Sequence, residues 1–260
     1  MSEEVGHPAS VGAAALVYVP DLDHPVPDPE DAHHLTRVLR LRAGEPVVTG
    51  DGAGRWRLCR YRGGRGPGAV APEELLEVDG PLSVLPRAAP PVTVGFVPAK
   101  GDRPEWVVQK LTEAGVDRVV VLRSVRAVVR WEGERQARSI ERLRRVAREA
   151  AAQSRCAWLP EVAGVLDLAA LAALVAPVPL ALAHPGGDPP SVAMPAMAVG
   201  PEGGWDDSEL APGGYRVVGL GPGILRSETA AVASGLLLCA LRNGLVAEAG
   251  ATGSGPREGR

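Results

Sequence analysis

Two short stretches in the last quarter of the chain hold the residue types from which a backbone-built ligand site is made. Ala196-Met-Ala-Val199 runs into Gly200-Pro201-Glu202-Gly203-Gly204, and Arg216-Val-Val-Gly-Leu220 runs into Gly221-Pro222-Gly223-Ile224-Leu225-Arg226-Ser227-Glu228-Thr229-Ala230. Each apolar run lacks polar alternation, as a strand buried on both faces does. Open α/β sheets bind ligands just beyond the carboxyl ends of such strands. The glycines expose bare N–H and C=O groups there, and Pro201 and Pro222 stiffen the two turns. Each turn also carries charge: Glu202 in the first, Arg226 and Glu228 in the second. Either turn alone reads equally well as a tight strand-to-helix connection. The two together predict one pocket. Ser227 suits a helix N-cap, and Glu228 suits the positive end of the helix that follows.

The elements that must position these turns follow from periodicity. From Val92 onward short apolar strands (92–97, 116–122, 178–183, 196–199, 216–220) alternate with helical patterns (103–114, 134–154, 167–175, 227–243). That alternation predicts an α/β unit with a mostly parallel sheet. The earlier part reads differently: a first strand over 14–19, a short helix over 29–41, and a hairpin whose strands Pro46-Val-Val-Thr49 and Arg55-Trp-Arg-Leu-Cys-Arg-Tyr61 flank the turn 50–54. In its second strand Trp56, Leu58 and Cys59 against Arg55, Arg57 and Arg60 predict one apolar and one basic face. The proline-rich stretch 81–91 reads as the linker. The expected division is a first domain over 13–85, a second over 92–248, and disordered tails at 1–12 and 249–260.

Composition narrows the class. The chain has 260 residues, 45% of them hydrophobic, with a mean hydropathy near zero. Its longest apolar runs are far too short to span a bilayer, and no basic segment followed by an apolar stretch opens the chain. Three scattered cysteines (Cys59, Cys156, Cys239) form neither a disulfide framework nor a zinc pattern, so a reducing cytoplasm is expected. Net charge is −3, but it is unevenly spread. Eight arginines lie between Arg37 and Arg65 against two carboxylates, whereas 156–225 holds Arg216 alone against seven. A basic front half suits a polyanion, and an acidic ligand half suits a cationic cofactor. The excess of arginine over lysine reflects compositional bias, which does not explain the clustering. His33-His34 point about 100° apart on a helix and cannot chelate one ion; one is expected to pack inward and the other to face solvent or RNA.

In this order, Gly200–Gly204 and Leu220–Ala230 resemble the RsmE-like family of SPOUT-class methyltransferases. His33-His34-Leu35 with Val38-Leu39-Arg40 supports the resemblance, as do Lys100-Gly101-Asp102-Arg103, Gln109-Lys110, Glu113 with Gly115-Val116, Arg126, Arg142, Glu149-Ala150 and Gln153-Ser154. The match covers roughly 15–245. It departs at Ala114, where the family usually has leucine, and at Cys156, where it usually has arginine, with Arg155 one position early. The resemblance implies S-adenosylmethionine-dependent methylation of N3 of a uridine in 16S ribosomal RNA of the small subunit. It also implies a trefoil-knotted C-terminal sheet, a small PUA-like β-barrel before it, and a homodimer.

On that resemblance, the cofactor-binding residues are expected to be His184, Val199, Gly200, Pro201, Glu202, Gly203, Gly204, Leu220, Gly221, Ile224, Leu225, Arg226 and Thr229. Gly203 is the position where a side chain should abolish cofactor binding. Uridine N3 is an imide nitrogen, protonated at neutral pH, and must lose that proton before it attacks a methyl group. The charge then spreads onto O2 and O4, so a cation is needed beside them. Arg226 is expected to be that cation, unless it instead pairs with Glu202 or Glu228. Those two carboxylates are either the base or the organisers of Arg226. Arg138, Arg142 and Arg145 recur at i, i+4 and i+7 on one helix face. With Arg37, Arg40, Lys100, Arg103, Lys110, Arg126, Gln153 and Arg155 they are expected to contact RNA, largely at phosphates. Methyl transfer requires no metal, and no metal-ligand spacing is present. Two other readings compete. A non-catalytic RNA-binding ribosome-assembly protein has no use for the Gly200–Gly204 turn. A Rossmann oxidoreductase requires Gly-x-Gly-x-x-Gly after the first strand, which is missing.

Overall fold

The structure is a computed structural model that describes residues 6–63, 70–211 and 213–248. The chain divides into two compact units, 1–87 with 144–160, and 88–143 with 161–260. The chain passes from the first unit to the second between Arg87 and Ala88, and residues 144–160 group with the first unit. The reason is packing: Ala151 and Ala157 are buried in one apolar cluster with Tyr18, Val48 and Trp56. The Tyr18 hydroxyl also donates to the Cys156 carbonyl at 2.7 Å. Of the expected tails, residues 1–5 and 249–260 lie outside the described residues, as does Arg65. Pro8–Val11 is no tail; it forms a 3-10 turn capped by the His7 side chain.

In the first unit, β1 (Ala15–Tyr18) pairs in parallel with β2 (Pro46–Gly50), which forms an antiparallel hairpin with β3 (Arg55–Tyr61). The hairpin turn is set by Asp51, whose Oδ1 accepts from the Ala53 and Arg55 amides at 2.7 and 3.1 Å. Strands β4 (Leu76–Val78) and β5 (Ser83–Val84) pair with opposite ends of β3. The predicted helix over 29–41 is a short α1 (Pro29–His33), capped by Asp28, that continues as one wider π-type turn over His34–Val38. His33 and His34 are both exposed, and the inward residue is Leu35. The predicted apolar and basic faces of β3 do not occur. Trp56 and Leu58 join one cluster, while Cys59 and Tyr61 on the opposite face are buried in another. Arg57 lies on that second face, paired with Asp23 at 2.8 Å. Sequence alternation alone could not reveal that both faces are covered.

The second unit is a six-stranded sheet in the order β11-β9-β10-β6-β7-β8, with every neighbouring pair parallel. In chain order its elements are β6 (Thr93–Phe96), α2 (Arg103–Glu113), β7 (Arg118–Leu122), α3 (Gly133–Gln153), β8 (Glu161–Leu166), α4 (Leu168–Val175), β9 (Leu180–Asp188), β10 (Ala196–Val199), α5 (Asp207–Leu210), β11 (Arg216–Val218) and α6 (Ser227–Arg242). Residues of α3 before Arg144 belong to this unit and the remainder to the first. The apolar runs are buried as predicted: all four residues of β6 and of β10 are buried. Each fully buried Val or Leu contributes about 1.5–3 kcal/mol. Strand β8 is not evident from the sequence, because Glu161 and Gly164 interrupt its apolar run and it sits at the sheet edge.

Two glycines allow close packing here. At Gly95 of β6 an added Cβ would fall 2.6 Å from Leu171 of α4. At Gly235 of α6 it would collide with Leu111 of α2, so this glycine lets the last helix lie tightly against α2. The end of α6 is fastened by Arg242, whose buried guanidinium pairs with buried Asp117 and donates to the Gly115 carbonyl at 2.9 Å.

Candidate active site

Strand β10 ends at Val199, and the chain turns at once through Gly200–Gly204. The Gly204 amide donates to the Pro201 carbonyl at 2.8 Å, with Gly204 at φ +72. The turn therefore needs its left-handed glycine at position 204. Gly203 shows no positive φ, and a Cβ there would meet only Arg126, at 3.8 Å. Positive φ is therefore not what Gly203 supplies; the left-handed glycine of this turn is Gly204. Gly200 is constrained differently: an added Cβ would come within 3.0 Å of the Trp205 indole, which packs over the turn.

Strand β9 is longer than predicted because it contains a bulge. Val217 pairs with Leu182 but Val218 pairs with Asp188, so residues 183–187 loop out of the ladder. The backbones of Gly187 and Gly219 touch, and a Cβ on Gly187 would lie 2.6 Å from the Val218 amide nitrogen. The bulge pushes exposed His184 outward, its Nδ1 2.8 Å from the Pro185 carbonyl oxygen. Bulges commonly re-aim side chains beside functional sites in this way.

These pieces meet. A cavity of about 620 Å³ is lined by Ala183, His184 and Pro185, by Val199, Gly200, Pro201, Glu202 and Gly204, and by Leu220, Gly221, Ile224, Leu225 and Arg226. Eleven of the thirteen expected cofactor residues are among them. Gly203 and Thr229 are the exceptions. In the first turn of α6 it is Ser227 and Ala230, three residues apart, that face the cavity, and Thr229 is exposed. Sequence reasoning misses Arg126, Ala183, Pro185, Trp205, Leu210 and Gly223 in the lining. Trp205 stands one residue past the turn and is legible as its neighbour; the sequence marks Arg126 only as an RNA contact. The donor set is mostly main chain between apolar walls, with Glu202 the sole carboxylate in the lining. That suits a ligand with a flat apolar body, polar edges and positive charge.

The charged residues arrange themselves otherwise than predicted. Arg226, not Ser227, occupies the N-cap of α6; it is exposed and forms no ion pair among the described residues. Glu202 and Glu228 both face Arg103, at 3.7 and 3.5 Å, so they organise that arginine and not Arg226. Glu228 is largely buried, whereas the Glu202 side chain is 67% exposed. Arg126 reaches the Gly203 carbonyl at 3.3 Å and Asp206 at 3.2 Å. The Ser208 hydroxyl and amide, and then Arg126, hold the Asp206 carboxyl below the usual Asp range. Glu209 completes a capping box with Asp206 and also accepts from Ser124 Oγ at 3.0 Å and the Val125 amide at 3.2 Å. The loop after β7 is thereby tied to the turn after β10.

Of the expected RNA contacts, Lys100, Arg103 and Arg126 come together at a second, smaller cavity. The others do not join them. Lys110 is held by Glu113 at 2.8 Å, Arg138 lies 3.6 Å from Glu134, and Arg142 pairs with Glu105 at 3.0 Å. Arg145 and Gln153 are exposed on α3. Arg37 and Arg40 are exposed in the first unit, and Arg40 and Arg155 both adopt positive φ. Among the described residues no group of three His, Cys, Asp or Glu side chains is placed to hold a metal ion. No described helix is long and apolar enough to cross a membrane.

Comparison with known proteins gives this geometry a class. Residues 87–238 match the model of an RNA methyltransferase domain, and residues 26–67 match that of an RNA methyltransferase PUA domain. The chain is 35% identical over 221 residues to ribosomal RNA small subunit methyltransferase E of Mycobacterium tuberculosis, covering 79% of this chain and 82% of that one. It is 34% identical to the protein of the same name from Synechocystis sp., over 76% of this chain and 67% of that one. The crystal structure of ribosomal RNA small subunit methyltransferase E from Neisseria gonorrhoeae bound to S-adenosyl methionine superimposes with a TM-score of 0.65 at 26% identity, covering 87% and 97% of the two chains. Fold and site together define an RNA methyltransferase with a SPOUT-type α/β domain and, before it in the chain, a PUA-like domain. Within that class, the chain belongs to the RsmE-like family of S-adenosylmethionine-dependent RNA methyltransferases.

Proposed function

We propose that the protein methylates N3 of a uridine in 16S ribosomal RNA, with S-adenosylmethionine held in the cavity between the 200–204 and 220–226 turns. The observation that carries this reading is the convergence of both glycine turns and the β9 bulge on one mostly backbone-lined cavity. Gly200, Pro201, Leu220 and Leu225 hold the adenosine by main chain and apolar contact, and His184 closes its edge. The bound cofactor supplies an electrophilic methyl group on a sulfonium.

The chain's own residues prepare the acceptor. Arg226, unpaired at the mouth, places its planar fork beside the uracil oxygens and stabilises the charge left when N3 loses its proton. Glu202, in contact with water, accepts that proton. Glu228 keeps Arg103 in place. Arg138, Arg142, Arg145, Arg37, Arg40, Gln153 and Arg155 contact the RNA backbone and set its register. The domain is trefoil-knotted, acts as a homodimer and works in the cytoplasm, as in the family it resembles. Two measurements test the reading. Calorimetric titration with S-adenosylhomocysteine should show binding. Mass mapping of 16S RNA from a deletion strain should show one N3-methyluridine lost, and an unchanged methylation map would refute it.

A further inference from the structure

A second cavity, of about 290 Å³, opens where β6 ends. It shares Arg126, Pro201, Glu202 and Ser227 with the larger one, so the two are neighbours across a common wall. Its other walls are of two kinds. Val97, Val128 and Val129 make it apolar, and Val128 is 76% exposed, a large apolar side chain with little packed against it. Lys100 and Arg103 make it cationic, with Arg126 at the shared wall. Arg103 is engaged by Glu202 and Glu228, and Arg126 by Asp206 and the Gly203 carbonyl. Lys100 forms no ion pair among the described residues. A solvated surface lysine is commonplace. This one instead lines a concavity beside three valines, next to the cavity assigned to the methyl donor.

We propose that the second cavity receives the target uracil itself, turned out of its RNA strand, with the Lys100 ammonium facing O4 and with O2 turned toward Arg226 of the larger cavity. The inference rests on the placement of the methyl donor argued above. The flat base lies against Val128 and Val129, which offsets part of the few kcal/mol that extrusion costs. The N3–H bond breaks, its electron pair remains on the ring and spreads to O2 and O4, and the proton passes to Glu202 and on to water. Where the two cavities meet, the N3 electron pair bonds the methyl carbon as the carbon–sulfur bond breaks, that pair going to sulfur so that S-adenosylhomocysteine leaves as a neutral thioether. Lysine suits this task as a compact point charge that follows the oxygen as charge develops. The same charge discriminates between bases: cytosine has no N3 proton to lose and would set its amino group against an ammonium. Lys100 is therefore a catalytic residue and not a phosphate contact.

The test uses the full-length protein without cofactor and a 16S RNA fragment carrying 4-thiouridine at the target position. After irradiation, the cross-link should map to 97–103 or 126–129; a cross-link at 220–226, or outside both segments, would overturn the assignment. Lys100→Gln should bind S-adenosylhomocysteine as the wild type does. Its single-turnover methylation should fall about 10²-fold at neutral pH and recover as pH rises, with Lys100→Arg restoring part of the loss. A loss that does not change with pH would remove Lys100 from the chemistry. Failure of S-adenosylhomocysteine to bind the wild type would instead overturn the donor placement.

Discussion

At the carboxyl ends of β9, β10 and β11 the site is prepared by residues with almost no side-chain polarity. Along α3 it would have to rest on arginines, and the protein partly occupies those itself. The strand ends gather eleven of the thirteen expected cofactor residues around one cavity. On α3, Arg142 is turned toward Glu105 and Arg138 lies beside Glu134, while Arg145 is exposed. The difference is physical. A glycine turn that directly follows a buried strand is held in place by that strand, so the sequence marks where the turn lies while leaving open which glycine becomes left-handed. A long charged side chain pairs with whichever opposite charge the fold brings within about 4 Å, and exposed pairs of this kind hold by only about 0.2–1 kcal/mol. On the proposed reading, RNA phosphates would displace Glu134, which is 90% exposed, more easily than the mostly buried Glu105.

The sharpest way to break this contrast lies at Arg226, a strand-end residue expected to act through its side chain. Arg226→Lys keeps the charge and loses the planar fork, so single-turnover methylation should fall about 10²–10³-fold while cofactor affinity barely changes. A raised cofactor dissociation constant with unchanged chemistry would make Arg226 a binding residue. The backbone half of the comparison is sharpened by adjacent glycines. Gly204→Ala forces a Cβ into a left-handed turn at about 1–2 kcal/mol, which should weaken S-adenosylhomocysteine binding about tenfold. Gly203→Ala should leave it nearly unchanged. Equal effects from the two would show that φ at 204 is not what the pocket requires.

On the helix side, replacing Arg138, Arg142 and Arg145 with alanine should lower the salt slope of RNA binding by about one for each phosphate no longer neutralised, and leave cofactor affinity alone. An unaltered slope would reduce that face to a solvated surface. The smallest effect concerns Asp206. Its carboxyl is held below the usual Asp range by Ser208 and Arg126, so what it contributes to stability is present above the unfolded Asp value near 4 and is lost as pH falls through the lowered folded value. Asp206→Asn should flatten the acid limb of a urea-unfolding series. A limb as steep as the wild type's would mean that Ser208 and Arg126 do not favour the ionised carboxylate in the folded protein.

The interval between sequence and structure follows the same divide. The runs at 93–96 and 196–199 announce buried strands, and the helix over 103–113 ends where its composition says it must. Gly115, at φ +83 just past that helix, lets the Val116 amide return to the Leu111 carbonyl at 3.0 Å. All of this is local chemistry written in consecutive residues. The bulge at 183–187 was not legible, because it arises from Gly187 meeting Gly219, just past a strand that lies about thirty residues further along the chain. Nor was the grouping of Arg103 with Glu202 and Glu228, which come from three separate elements.

By itself, then, the sequence determined the strand and helix periods, the two glycine turns and their charges, because backbone conformation and burial are chosen residue by residue. Only the tertiary structure decided the strand order, the placement of 144–160 with the first unit, the left-handed role of Gly204 over Gly203, and the second cavity at Lys100. Each of these depends on which distant segments pack together, and long-range parallel neighbours are selected by the whole core and not by any one stretch of it.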